Sequence, residues 1–270
     1  MSSFFSQPFV LALLSGLAIV LIAFIGFGSL AVARRRLARW LSVIVAFAAG
    51  SLLGATFFHL LPESIEEGGP TFPLALAGLL LFFLIDSVLW VYHCHGGRCL
   101  HNIAHPADAH AHAHATEHRR PKPIGPLNLV GDAIHNLTDG VVIASAFLVD
   151  PALGFAAAFA TAMHEIPQEV GDFGILVHSG FKPSRALVWN GLVALLVLVG
   201  IVVTFLAADV VTGLTQYTIP FAAGVFLYMA CTNLLAEIKE EASVRVRLMQ
   251  VVFLFLGVGL LWATTLVETH

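Results

Sequence analysis

The sequence predicts an all-α integral membrane protein of eight transmembrane helices. They are expected in an inverted 3+2+3 arrangement with helices four and five central. Three observations carry this. The 270 residues are 58% hydrophobic and 11% charged, where a soluble domain carries about 25% charged residues, and mean hydropathy is +0.89. The apolar residues come in runs near the ~20 residues that a helix needs to cross the hydrocarbon core. All 13 Lys and Arg fall in every second loop between those runs.

The first run, 8–31, has no Lys or Arg before Arg34. It lacks the basic start of a secretory signal and is expected to be a retained span. Runs 40–62 and 72–92 follow, then a polar stretch, 93–125, and then runs 127–149, 152–178, 186–208, 216–237 and 248–267. The whole chain, 1–270, reads as one transmembrane domain. Arg34, Arg35, Arg36 and Arg39 follow span one. Arg98, Arg119, Arg120 and Lys122 follow span three, Lys182 and Arg185 span five, and Lys239, Arg245 and Arg247 span seven. Under the positive-inside rule these four loops are cytoplasmic and both termini lie outside. Richness in Ala, Leu and Val, with no recognisable organelle signal, points to a bacterial inner membrane.

Two spans resemble each other. FAAGSLLGATFFHLLPE (Phe47 to Glu63) and FAAGVFLYMACTNLLAE (Phe221 to Glu237) align without a gap. Spans two and seven run in opposite directions, so a true repeat would be inverted, as in many transporters. The restricted alphabet of apolar helices also produces such matches by chance. A true repeat would pair spans one to three with six to eight.

The two unpaired spans carry the polar residues. In span four, Asp132, His135, Asn136 and Asp139 share one helical face. In span five, His164, Glu165, Gln168, Glu169 and Asp172 form a second stripe. At about 1.5 Å per residue both stripes lie near the middle of the bilayer. A charge there costs roughly 2.5–3.5 kcal/mol even on the mild insertion scale, so these groups must face each other, water or an ion. Imidazole and carboxylate are ligands for zinc and its first-row neighbours. Pro167 and Gly140 are expected to break or loosen the two helices at this level and free carbonyls for an ion. Cys231 stands alone in span seven and is expected to pack in the interior.

HNLTDG (135–140) and HEIPQEVGDF (164–173) resemble the span-four and span-five signatures of the ZIP (Zrt/Irt-like) metal transporters. HLLPE (59–63) and FLYMACTNLLAE resemble that family's spans two and seven. The resemblance implies import of zinc into the cytosol through a two-metal site between spans four and five. It implies one site from His135, Asp139 and Gln168 and a second from Asn136, His164 and Glu165, with Asp139 able to bridge. Gln168 stands where many members have His. A neutral amide is the poorer zinc ligand, which leaves iron, manganese or cadmium open as further cargo. Divalent metal ions and lipid are the expected partners, nucleic acid is not, and a homodimer is allowed. Glu169 and Asp172 read equally as packing groups or ion contacts, and Asn190 as a pathway residue or an interhelical hydrogen bond. His59 and Glu63 stand near the outer end of span two, where metal would enter, and His178 stands near the inner end of span five. Ordinary helix-end histidines would look the same.

Other classes fit less well. An intramembrane metalloprotease would need HExxH, and HEIPQ lacks the second His. A cation-diffusion-facilitator-like exporter also uses His-x-x-x-Asp, but with six spans and a soluble C-terminal domain.

The stretch after span three holds His93, Cys94, His95, Cys99, His101, His105, His110, His112, His114 and His118. Alternating Ala and His with Pro has nothing to pack a core, so disorder is expected. On the cytosolic side its thiols would stay reduced. It reads as a weak metal buffer or sensor, with a plain spacer as the alternative. Deleting residues 106–118 is expected to change the rate or regulation of transport and leave transport itself intact. Uptake by a well-expressed deletion checks this, and complete loss would contradict it.

Overall fold

The computed structural model describes residues 7–25, 34–94, 124–239 and 243–268. The described chain is helical throughout its long apolar runs. Helix α1 is Gln7–Ile22. Helix α2 starts as Arg34–Ala55, passes through a π turn at Thr56–Leu60 and ends as Leu61–Glu66. Helices α3, Thr71–Cys94, and α4, Ile124–Val149, flank the undescribed residues 95–123. Helix α5 is Pro151–His178. Helix α6 runs as Pro183–Ala194 and Leu196–Ala208, interrupted at Leu195. Helix α7 runs Thr215–Tyr228, passes through a second π turn at Met229–Leu234 and ends as Leu235–Lys239. Helix α8 is Val244–Glu268.

Among the described residues, six helices are long and apolar enough to cross a membrane: α2, α3, α4, α6, α7 and α8. Helix α1 is apolar but short, at 16 residues. Helix α5 has ample length, at 28 residues, but Glu165, Glu169 and Asp172 dilute its apolar character.

Helix α4 is central. It packs on α5, α6, α7 and α1, while α5 packs on α4, α2 and α1; α8 lies along α2, and α3 along α7. One apolar core joins α2, α4, α5 and α7 through Leu52, Val142, Ala157 and Phe226. A second joins α1, α4, α5 and α6 through Phe9, Phe147, Ala158 and Ile201. Three crossings bring backbones together. A Cβ on Gly50 would lie 2.0 Å from Leu254 O and one on Gly257 2.4 Å from Phe47 O, between α2 and α8. A Cβ on Gly224 would lie 1.8 Å from Ala75 O and one on Gly78 2.2 Å from Phe221 O, between α3 and α7. Gly140 and Gly200 meet in the same way between α4 and α6. Small residues of this kind let membrane helices approach closely enough for van der Waals contact to hold them.

The two similar segments carry matching irregularities. In their gapless alignment Thr56 and Leu60 stand opposite Ala230 and Leu234, so the two π turns coincide. Gly50 and Gly224, both from FAAG, make the two equivalent crossings.

Helices α4 and α5 are joined by Asp150 alone. Asp150 Oδ1 accepts from Ala152 N at 2.7 Å and Leu153 N at 3.4 Å. With Pro151 at the first helical position this is a strong N-cap. So tight a hairpin fixes the register. Asn136 and His164 are equally distant from Asp150 along the chain, as are Asp132 and Gln168, and Asn128 and Asp172.

Two expectations are corrected. Helices α4 and α5 run unbroken through Gly140 and Pro167. Pro167 removes one backbone bond, a loss that neighbouring helices make tolerable, and Gly140 serves the α6 crossing instead. Helix irregularity falls in α2, α6 and α7. Cys231 is exposed, carried outward on the π turn of α7, and does not pack in the interior.

Gly224→Ala places a methyl against a carbonyl oxygen and is expected to cost about 1–3 kcal/mol by overpacking. Gly171, which has open space around it, should accept Ala with a gain of up to about 1 kcal/mol. Thermal melts of detergent-purified protein check both.

Candidate metal centre

His135 and Asp139 stand one turn apart on α4, facing His164 and Glu165 on α5. Among the described residues these four form one group able to hold a metal ion, with ligand atoms all within 4.8 Å of one another. His135 Nε2 lies 3.2 Å from His164 Nε2, 3.2 Å from Glu165 Oε1 and 3.5 Å from Asp139 Oδ2. His164 Nε2 lies 3.1 Å from Asp139 Oδ2 and 3.8 Å from Glu165 Oε1. Four ligands about 2.0–2.2 Å from one zinc ion at tetrahedral angles would stand about 3.3–3.6 Å apart. The tetrad is close to that size before any ion enters.

The protons favour coordination as well. His164 Nδ1 lies 3.1 Å from Ala160 O. A carbonyl oxygen only accepts, so Nδ1 carries the hydrogen and Nε2 turns a lone pair toward the other three ligands. The His164 ring is wholly enclosed, edge-on to Phe226 with centroids 6.3 Å apart. Asp139 and Glu165 are buried, and Asp139 Oδ1 and Glu165 Oε1 have no hydrogen-bond partner. Two carboxylates, two neutral imidazoles and one divalent cation sum to zero charge. That is the composition a low-dielectric site tolerates.

The tetrad takes two residues from each site the resemblance implied. Asn136 and Gln168 each turn the amide nitrogen to Asp132. Asn136 Nδ2 donates to Asp132 O at 3.0 Å and Asp132 Oδ1 at 2.8 Å, leaving its buried Oδ1 without a partner. Gln168 Nε2 donates to the same Asp132 Oδ1 at 3.3 Å. Glu169 is buried and accepts from Asn190 Nδ2 of α6, and Asp172 accepts from Asn128 Nδ2 at 2.9 Å. Among the described residues no Lys or Arg pairs with Asp132, Glu169 or Asp172. Asn128 was missed in the sequence, although it stands one turn before Asp132 on the same face. His59 sits in the π turn of α2, buried, with Nε2 2.9 Å from both Leu261 O and Thr264 Oγ1 of α8. Glu63 is half-buried one turn further on, and His178 is exposed in the last turn of α5. Of His93 and Cys94 only the helical backbone is described. His95, Cys99, His110, His112 and His114 lie outside the described residues.

A sequence model described as ZIP Zinc transporter matches residues 9–122 and 92–264. The chain is similar to Zinc transporter zipt-7.1 of Caenorhabditis briggsae, 28% identical across 85% of this chain and 72% of the relative. It is similar to Zinc transporter ZIP13 of Danio rerio, 31% identical across 82% of this chain and 75% of the relative. It is similar also to Zinc transporter YKE4 of Saccharomyces cerevisiae, 27% identical across 80% and 68%.

Zinc at about a hundred times its Kd should add about 2.7 kcal/mol to stability. A rise in the thermal midpoint of the purified protein reads this out, and His164→Ala is expected to remove most of the rise.

Proposed function

Because this chain belongs to the ZIP zinc transporter family, and so is a transporter and not an enzyme, we propose that it imports zinc into the cytosol through the His135–Asp139–His164–Glu165 tetrad. The observation that carries the reading is the tetrad itself. It is matched to the size and charge of a divalent ion and held midway along two antiparallel helices. A second ion would sit beside the first, on the partnerless Asp139 Oδ1 and Asn136 Oδ1, with Asp139 as the bridge.

On this reading α1 and α5 join the six long apolar helices as spans, giving eight. The coincident π turns and the equivalent glycine crossings favour the inverted 3+2+3 arrangement around α4 and α5. The alternating placement of Lys and Arg favours both termini outside. Transport then proceeds as the flanking helices rock against α4 and α5 and expose the centre to each side in turn. Ala, Leu and Val richness favours a bacterial inner membrane, whereas the relatives named above come from eukaryotes. Iron, manganese and cadmium remain as additional cargo for a centre built partly of oxygen ligands.

Proteoliposomes carrying an internal zinc indicator test this. Zinc should enter against the orientation expected of an exporter. His135→Ala and Asp139→Ala should each abolish entry while the protein still inserts. Near-normal uptake in both would overturn the reading.

A further inference from the structure

Below the tetrad, toward the Ile124 end of α4 and the His178 end of α5, lies a second polar group that the tetrad does not use. Its corners are Asn128 and Asp132 on α4 and Gln168 and Asp172 on α5. On each helix the two residues stand one turn apart, about 6 Å. Two rungs join the helices: Asn128 Nδ2 to Asp172 Oδ1 at 2.9 Å, and Gln168 Nε2 to Asp132 Oδ1 at 3.3 Å. Amide and carboxylate therefore alternate around the rectangle, with each carboxylate diagonal to the other.

Hydrogen bonding within the rectangle is half complete. Asp132 Oδ2 and Asp172 Oδ2 are buried and have no partner. Asn190 of α6, which meets Glu169 next to Gln168 in the chain, is wholly buried. Its Nδ2 is on Glu169 and its Oδ1 is without a partner. A clamp made only to hold helices together would not leave three buried acceptors empty, since each costs roughly 1–3 kcal/mol. Every missing partner is a donor or a cation, and no buried donor among these residues is left over. The two amides supply the other half of the design. Each now points its NH2 at a carboxylate, occupying the place of positive charge. A half-turn of the amide plane exchanges N for O, and the four side chains then offer an oxygen each, with Asn136 Nδ2 still on Asp132 Oδ1 and Asp132 Oδ2 free.

We propose that Asn128, Asp132, Gln168 and Asp172 form a separate all-oxygen station for a divalent cation, one to two turns beyond the tetrad along the same helix pair. Asn190 and Glu169 border it. The amides act as placeholders that yield when the ion arrives. Amide and carboxylate oxygens without imidazole or thiolate bind first-row ions loosely and favour hard ones. That suits a stop from which an ion must leave. The proposal rests on the transport reading for its purpose, though not for its existence as a binding site.

The probe is Mn2+, added to detergent-purified full-length protein and read by pulsed electron paramagnetic resonance. Directly bound imidazole nitrogen modulates the Mn2+ signal strongly, and an oxygen shell does not. The expected result is a bound population free of imidazole coupling, separate from any population at the histidines. Asp132→Asn and Asp172→Asn, which keep the side-chain shape, should each weaken it roughly tenfold or more, and Asp172→Glu should retain it. Absence of an oxygen-only population in the unaltered protein overturns the station. So does such a population that both Asn variants leave at full affinity. The transport reading is tested apart, by the loss of zinc uptake in His135→Ala. Either can fail while the other stands.

Discussion

Charge in hydrocarbon is the constraint on which this structure depends. Asp139 and Glu165 are buried midway along two helices whose outer faces are apolar. An isolated carboxylate in such surroundings would not survive as an ion. His135 and His164 meet both carboxylates within hydrogen-bonding or near-contact distance, and a divalent cation would complete neutrality. Once that cluster must exist, α4 and α5 have to be antiparallel neighbours, in register and shielded on all sides. The Asp150 cap provides the register. Helices α1, α2, α6 and α7 provide the shield.

Close packing does the rest. Leu and Val gain nothing from leaving lipid for another apolar surface, so the helices are held by contact area and backbone proximity. The glycine crossings show where this is concentrated. Each brings a carbonyl oxygen onto a glycine Cα, and a larger residue at any of them would separate two helices along their length.

Much of this was legible in the sequence. Long apolar runs located the helices because the hydrocarbon thickness dictates their length. The i, i+3, i+4, i+7 spacing of Asp132, His135, Asn136 and Asp139 placed these groups on one face. The grouping was less legible. Spacing shows which residues share a face, but the rotation of one helix against another decides which atoms meet. Here that rotation joined His135 and Asp139 to His164 and Glu165 and turned Asn136 and Gln168 toward Asp132. Pro167 was a misleading signal, since its helix continues through it. The π turns in α2 and α7 carried no local signal at all. Only their coincidence in the aligned segments makes sense of them.

The hydrogen bond from His164 Nδ1 to Ala160 O has a bearing on how cargo travels. A ring pinned to its own helix backbone and walled by Phe226 cannot swing to escort an ion onward. Displacement must therefore come from the ion stepping between stationary donors, or from α5 carrying the ring bodily as it shifts. In either case the imidazole behaves as a fixed post and not as an arm.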